Sequence, residues 1–114
     1  MNGSPTPRWL QIDFKTRKIQ INSYLIKTSY NDDRHIRSWT LEISNDGNEW
    51  EKIDERNEIT ELNGINLVKS FSIEMTKQFR YIRFNTSKPN FNNDDGFALN
   101  KLEFYGNIIS LTFN

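Results

Sequence analysis

One histidine is present in the 114-residue chain, His35, and two carboxylates, Asp32 and Asp33, stand just before it. A carboxylate beside an imidazole raises its basicity, which is the least a general base requires. The competing reading is a loop histidine that holds backbone or ligand by hydrogen bonds, and the rest of the chain favours it. There is no cysteine, which removes thiolate nucleophiles, disulfides and cysteine-type zinc sites together. No Gly-x-Ser-x-Gly elbow occurs either. The chain is expected to be neither an enzyme nor a cofactor carrier.

Asp94-Asp95-Gly96 suggests a calcium loop, but the register fails. With Gly96 in the sixth position of an EF-hand, Phe91 takes the first ligand position and Leu102 the place of the twelfth-position glutamate. A looser oxygen cage from Asn92, Asn93, Asp94 and Asp95 competes with simple turn stabilisation, and no metal is assigned. Lys15, Arg17 and Lys18 read as a solvated basic turn, and Arg80 and Arg83 as strand-surface residues. Asn85-Thr86-Ser87 fits the glycosylation sequon.

Composition narrows the partners. Lys plus Arg and Asp plus Glu number 15 each, so no basic surface is available for sequence-blind nucleic-acid binding. No apolar run has the length of a membrane span, and no signal-peptide core is present. With the lack of cysteine, this points to a cytoplasmic protein. The hydrophobic share is low at 35%, but aromatic residues make up 13%, and each buried ring removes a large area from water. The length suits one domain with one core.

The elements that must position these residues are strands. Trp39, Leu41 and Ile43 alternate with Thr40, Glu42 and Ser44, the two-residue period of a strand with one buried face. Asn45-Asp46-Gly47-Asn48 then reverses the chain, and Trp50 and Ile53 resume an apolar pattern on the return. Both tryptophans of this hairpin are expected in the core. Trp9 opens a strand with Leu10, Ile12 and Phe14 on one face. Ile19 and Ile21 begin another, and Tyr24 and Ile26 then take over in the opposite phase, which predicts a β-bulge near Asn22-Ser23. Further strands are predicted through Phe71, Ile73 and Met75, through Phe79 to Asn85, and through Leu99, Leu102 and Phe104 with a phase shift near Asn100-Lys101. Ile59 and Leu62 could form one helical turn, though the segment is short for a helix. Residues 1–6 read as an unstructured leader or cloning scar, 7–106 as the domain, and 107–114 as a tail or extra strand. Several short strands between turn signals imply an all-β, antiparallel β-sandwich.

Four segments in order, PRWLQIDF (Pro7 to Phe14), SWTLEISNDGNEW (Ser38 to Trp50), FRYIRF (Phe79 to Phe84) and ALNKLEFYG (Ala98 to Gly106), resemble the discoidin domain. It is also called the coagulation factor V/VIII type C domain, of the galactose-binding-like jelly-roll superfamily. The runs around His35 and Trp50 resemble its intracellular and protozoan branch. The resemblance implies a jelly-roll sandwich whose ligands are met by loops at one end. Only a few residues precede the WLQIDF segment, so the family's first strand or strands are expected to be missing, and its calcium site and membrane-inserting loops are not carried over. Its cysteine pair is absent too.

Two of the implied ligand loops fall at Lys27–Arg37 and Asn85–Phe97. A sugar needs planar hydrogen-bonding groups for its hydroxyl pairs and an aromatic face for its apolar side. Arg34, His35, Arg37, Asn90, Asn92 and Asp94 offer the first, with Asp32 and Asp33 beside them; Tyr30, Phe91 or Phe97 offers the second. The resemblance places Phe97 where carbohydrate-binding relatives set a stacking aromatic, although it shares a face with Leu99 and suits the core equally. The expectation is a non-catalytic module that meets a protein partner through these loops. The alternative is a galactose-type or related glycan at the same loops. An uncovered sheet edge or the C-terminal tail invites a homodimer.

Overall fold

The structure, a computed structural model, describes residues 9–94 and 96–110. The expected leader at 1–6, the apolar end at Leu111 and Phe113, and Asp95 of the acidic turn lie outside the described residues. Seven strands follow in order: β1 (Trp9–Asp13), β2 (Arg17–Thr28), β3 (Trp39–Ser44), β4 (Glu51–Arg56), β5 (Val68–Ser72), β6 (Tyr81–Thr86) and β7 (Leu99–Ser110). They form a four-stranded sheet, β1-β6-β3-β4, and a three-stranded sheet, β5-β2-β7. Every pairing is antiparallel. No helix occurs among the described residues, and the chain is the all-β sandwich that its periodicity predicts.

The bulges stand where the apolar phase flips. The β2–β7 ladder slips between Ile21 and Ser23, leaving Asn22 unpaired, and slips again where Lys27 and Thr28 face Lys101 and Leu99, leaving Asn100 unpaired. A strand in register would expose Tyr24 and Ile26; the extra residue turns both into the core. Just before the first slip, where Gly106 pairs with Ile21, β7 crosses β2 so closely that a Cβ on Gly106 would lie 2.0 Å from the Gln20 carbonyl oxygen. Only glycine fits there.

Two expectations need correction. The strand through Phe71, Ile73 and Met75 ends at Ser72. Beyond it the Ile73 N–H donates to the carbonyl of the bulged Asn22, and the Thr76 N–H to Ile21, so the bulge diverts this segment from regular pairing. Trp50 is not in the core. It lies on the outer face of the larger sheet, against Tyr81 at 6.3 Å between ring centroids and under the Arg83 guanidinium at 4.0 Å. Six residues of hairpin loop, 45–50, carry it around the sheet edge. Leu62 is fully buried but sits in a turn, because the segment around it is too short to propagate a helix.

The core is aromatic and centred on Trp39. Its ring stacks with Phe84 at 6.0 Å and meets the edge of Phe71 at 5.2 Å, while Tyr24 stacks on Phe71 at 5.1 Å. A polar bridge joins the sheets through this layer. The Trp39 Nε1 donates to the Tyr24 hydroxyl at 2.8 Å, and that hydroxyl donates to Asp54 Oδ2 at 2.6 Å. Arg56 Nε donates to the same carboxylate oxygen at 2.9 Å, and Arg56 Nη2 reaches the Ser72 carbonyl at 3.0 Å.

Tyr24→Phe removes one hydroxyl and strands the Trp39 donor in a site where Trp39 has no exposed surface. A loss of about 1–3 kcal/mol of stability is expected in urea unfolding. Burial, then the Asp54 hydrogen bond, pushes the Tyr24 hydroxyl well above the ordinary tyrosine range. The unfolded chain ionises there at about pH 10 while the folded chain keeps its proton. Stability is therefore whole below that pH and falls as pH rises beyond it, with a shallower fall in Tyr24→Phe.

Candidate functional site

Antiparallel pairing brings three connections to one pole: 29–38 between β2 and β3, 57–67 between β4 and β5, and 87–98 between β6 and β7. The first and third, the two predicted ligand loops, are joined along their length. Phe91 N–H donates to the His35 carbonyl, Ala98 N–H to the Arg34 carbonyl and Ser87 N–H to the Ser38 carbonyl, each at 3.1 Å. Arg37 Nε donates to the Pro89 carbonyl at 2.9 Å, and Asn92 Nδ2 to the Asp33 carbonyl at 3.3 Å.

Several of the sequence-predicted site residues serve this joint. Asn90 is 2% exposed. Its Nδ2 donates to Asp94 Oδ1 and to the Gly96 carbonyl, and its Oδ1 accepts from the Asn92 and Asp94 N–H groups. All four bonds stay within the loop, so Asn90 shapes it. Arg37 lies 5.8 Å over the Phe91 ring and 4.0 Å from Glu58, spanning all three loops. His35 is 5% exposed, and its Nδ1 is the one buried side-chain nitrogen or oxygen without a partner among the described residues. Asp32 is turned to Arg34, and Asp33 offers His35 its carbonyl rather than its carboxylate, so neither acid orients the imidazole as a base.

The outward chemistry is carried by Arg34 and Asp32. Arg34 Nε and Nη2 grip the Asp32 carboxylate, the shortest contact being 2.7 Å. The guanidinium, and then the Arg34 backbone N–H, hold the Asp32 carboxyl at about 2, below the usual carboxylate range. The fork keeps Asp32 charged and fixes Arg34, whose Nη1 has no partner among the described residues. Arg34 lines an open pocket of about 530 Å³ with Phe97, Leu10 and the stretch from Ala98 to Leu102. Phe97 also packs on the core, with its ring 5.8 Å from Phe84; it is both core edge and pocket wall. Tyr30, Asp33, Asn92 and Asp94 are exposed on the rim, and Phe91 is half-buried.

The third loop was not foreseen as part of the rim. Thr28 Oγ1 donates to the Gly64 carbonyl at 2.7 Å and accepts from the Leu67 N–H at 2.8 Å. Ser38 Oγ accepts from the Glu58 N–H at 3.0 Å, and Ile59 N–H donates to the Arg37 carbonyl at 2.7 Å. The available signal was two small polar residues, Thr28 and Ser38, at the buried ends of apolar strands, where they must satisfy a loop backbone. Among the described residues no group of three or more His, Asp or Glu is placed to hold a metal. Asn85 of the sequon lies inside β6 with its Nδ2 donated to Glu42 at 2.5 Å, so its amide is engaged in the sheet.

The F5/8 type C domain profile matches residues 1–100. The chain belongs to that family. Among solved structures it is similar to the C-terminal domain of a chitobiase from Bacteroides fragilis, with a TM-score of 0.69, 21% identity, and coverage of 94% of this chain and 68% of that one. It is also similar to CpGH89CBM32-5 from Clostridium perfringens, solved in complex with GalNAc-β-1,3-galactose (TM-score 0.61, 20% identity, covering 78% of this chain and 59% of that one). A third is chitosan-binding module 2 of a chitosanase/glucanase from Paenibacillus sp. IK-5, solved with chitotriose (TM-score 0.63, 16% identity, covering 86% and 69%). No curated protein sequence matches. The chain thus spans 59% to 69% of the length of these two sugar-complexed modules. The likeness establishes the fold as a jelly-roll sandwich.

Two outcomes test the rim. Asp32 is expected to titrate near 2, and Arg34→Ala to return it toward the ordinary aspartate value of about 3.9, read by NMR of the carboxyl carbon. Because the folded value is the lower one, the contribution of the fork to loop order is present above about pH 4 and is lost as pH falls toward 2. Asn90→Ala leaves four loop partners unmet. It should speed amide exchange at Asn92, Asp94 and Gly96 by at least about tenfold, equivalent to about 1.4 kcal/mol, while β3 and β6 stay protected.

Proposed function

We propose that this module binds carbohydrate, without catalysis, at the pole where Arg34 and Phe97 line one pocket. The placement of these two side chains around one open space of about 530 Å³ is the observation that carries the reading. That space falls within the range of small-ligand sites. A sugar hydroxyl both donates and accepts. Arg34, which lines the pocket, keeps Nη1 outside the fork as a donor for a hydroxyl, while the Asp32 carboxylate holds its guanidinium in place. Phe97, with Leu10 beside it, offers an apolar wall to the C–H face of a ring. The Arg34 charge is balanced by Asp32 at 2.7 Å, so the pocket suits neutral sugars better than acidic ones.

Of the two partners expected at these loops, glycan is better supported than protein. The sugar complexes of two modules of the same fold, one with GalNAc-β-1,3-galactose and one with chitotriose, favour it. A glycan array followed by calorimetry tests the reading. Binding to a neutral galactose- or glucosamine-type oligosaccharide is expected, weakened at least about tenfold by Arg34→Ala, the effect of losing one charge-assisted hydrogen bond. Phe97→Ala should also weaken it, with circular dichroism used to confirm folding. Absence of binding to every glycan at millimolar concentration rejects the proposal.

A further inference from the structure

Along one side the sandwich stands open. The edge strands β1 and β7 border that side, and neither has a second neighbour among the described residues. Between them runs an apolar groove of about 370 Å³ lined by Ile12, Phe14, Ile19, Ile21, Phe104 and Gly106. It continues toward the pocket through Leu10 and Leu102, and Leu10 is 42% exposed. An unpaired strand edge beside an apolar groove is a template for another strand.

We propose that the occupant is a second copy of this chain, joined by antiparallel pairing of β7 with the partner's β7 about a two-fold axis at Leu102. Charge selects this register. Lys101 and Glu103 lie on the outer face of β7, opposite Lys27 and Leu25 of β2, and pair with each other at 3.3 Å. Centring the two-fold on Leu102 sets Lys101 against the partner's Glu103 and Glu103 against the partner's Lys101, two opposite-charge cross-strand pairs. The bulge at Asn100 fits the same register. With Asn100 unpaired, Leu99 comes opposite the partner's Phe104, both directed inward.

The symmetry also covers the groove. A two-fold perpendicular to the ladder keeps both inner faces on the same side, so the lower sheets merge into one of six strands. The two β1 strands then meet above it, bringing Leu10, Ile12 and Phe14 of both copies over Leu102 and Phe104 of both. Each open side becomes the cover of the other, the self-complementarity that an isologous interface requires. The pocket of Arg34 and Phe97 shares Leu10, Leu99 and Leu102 with this side; the partner strand narrows its lower wall and leaves its loop side open.

Sedimentation equilibrium on the full 114-residue chain tests the proposal without reference to any sugar. A dimer of the 13.6 kDa chain is expected at micromolar concentration. Lys101→Glu places like charges opposite each other twice and should weaken the dimer at least about tenfold, as should Glu103→Lys. The double variant K101E/E103K restores opposite pairing and should restore the dimer, which loss of folding or nonspecific association would not do. A chain that stays monomeric at about 100 micromolar, or a double variant no better than the single ones, overturns the proposal.

Discussion

The hydroxyl of Tyr24 is the point on which the two layers are registered. It accepts from Trp39 of one sheet and donates to Asp54 on β4, while its ring stacks on Phe71 of its own sheet. A face of apolar side chains holds sheets together but does not specify how they slide. Hydrogen bonds with short, directional optima do. Arg56 extends the constraint by gripping Asp54 and reaching the Ser72 carbonyl of the opposite sheet, and its guanidinium lies 5.1 Å over Phe71. Tyr24 is turned inward by the bulge at Asn22, so one inserted residue in β2 sets the register of the whole sandwich.

That rigidity is what the rim inherits. Loops without internal regularity hold one shape only if their backbone groups find partners, and here the partners come from the ends of strands whose positions the core has fixed. Thr28 ends β2 and binds the third loop through its hydroxyl; Ser38 precedes β3 and does the same for Glu58. The loop carrying Arg34 is tied to the one carrying Phe97 by main-chain bonds. Pocket geometry is thereby a consequence of sheet geometry, although Arg34 and Phe97 themselves lie on loops.

Most of the fold was legible because strands advertise themselves by period. The phase flips at Asn22-Ser23 and Asn100 were visible as apolar residues changing parity, and Asp46-Gly47 marked the hairpin with Gly47 at φ 80°. Trp50 misled because a tryptophan after a turn looks like a core anchor, whereas the Arg83 guanidinium gives it an equally good seat on the outer face, 4.0 Å away. The rim was legible in membership and illegible in orientation. Composition marked Arg34, Asn90 and His35 alike as polar loop residues. A loop has no period to separate inward from outward, so nothing in the chain distinguished buried Asn90 from the half-exposed fork of Arg34 and Asp32.

The division of labour among those residues bears on what the site can recognise. The His35 backbone and the Arg37 and Asn90 side chains are engaged in holding the loops, so their ordering entropy is met in folding rather than in binding. The polar groups that line the pocket are few: Arg34 from one loop and Asn100 and Lys101 from β7, beside the wall of Phe97. The Arg34–Asp32 fork fixes the plane of the guanidinium, so the direction of its remaining donors is set before any ligand arrives. On the proposed reading, recognition depends on how firmly the sheets keep Phe97 and Arg34 in place around the pocket, which returns the question to the packing beneath the rim.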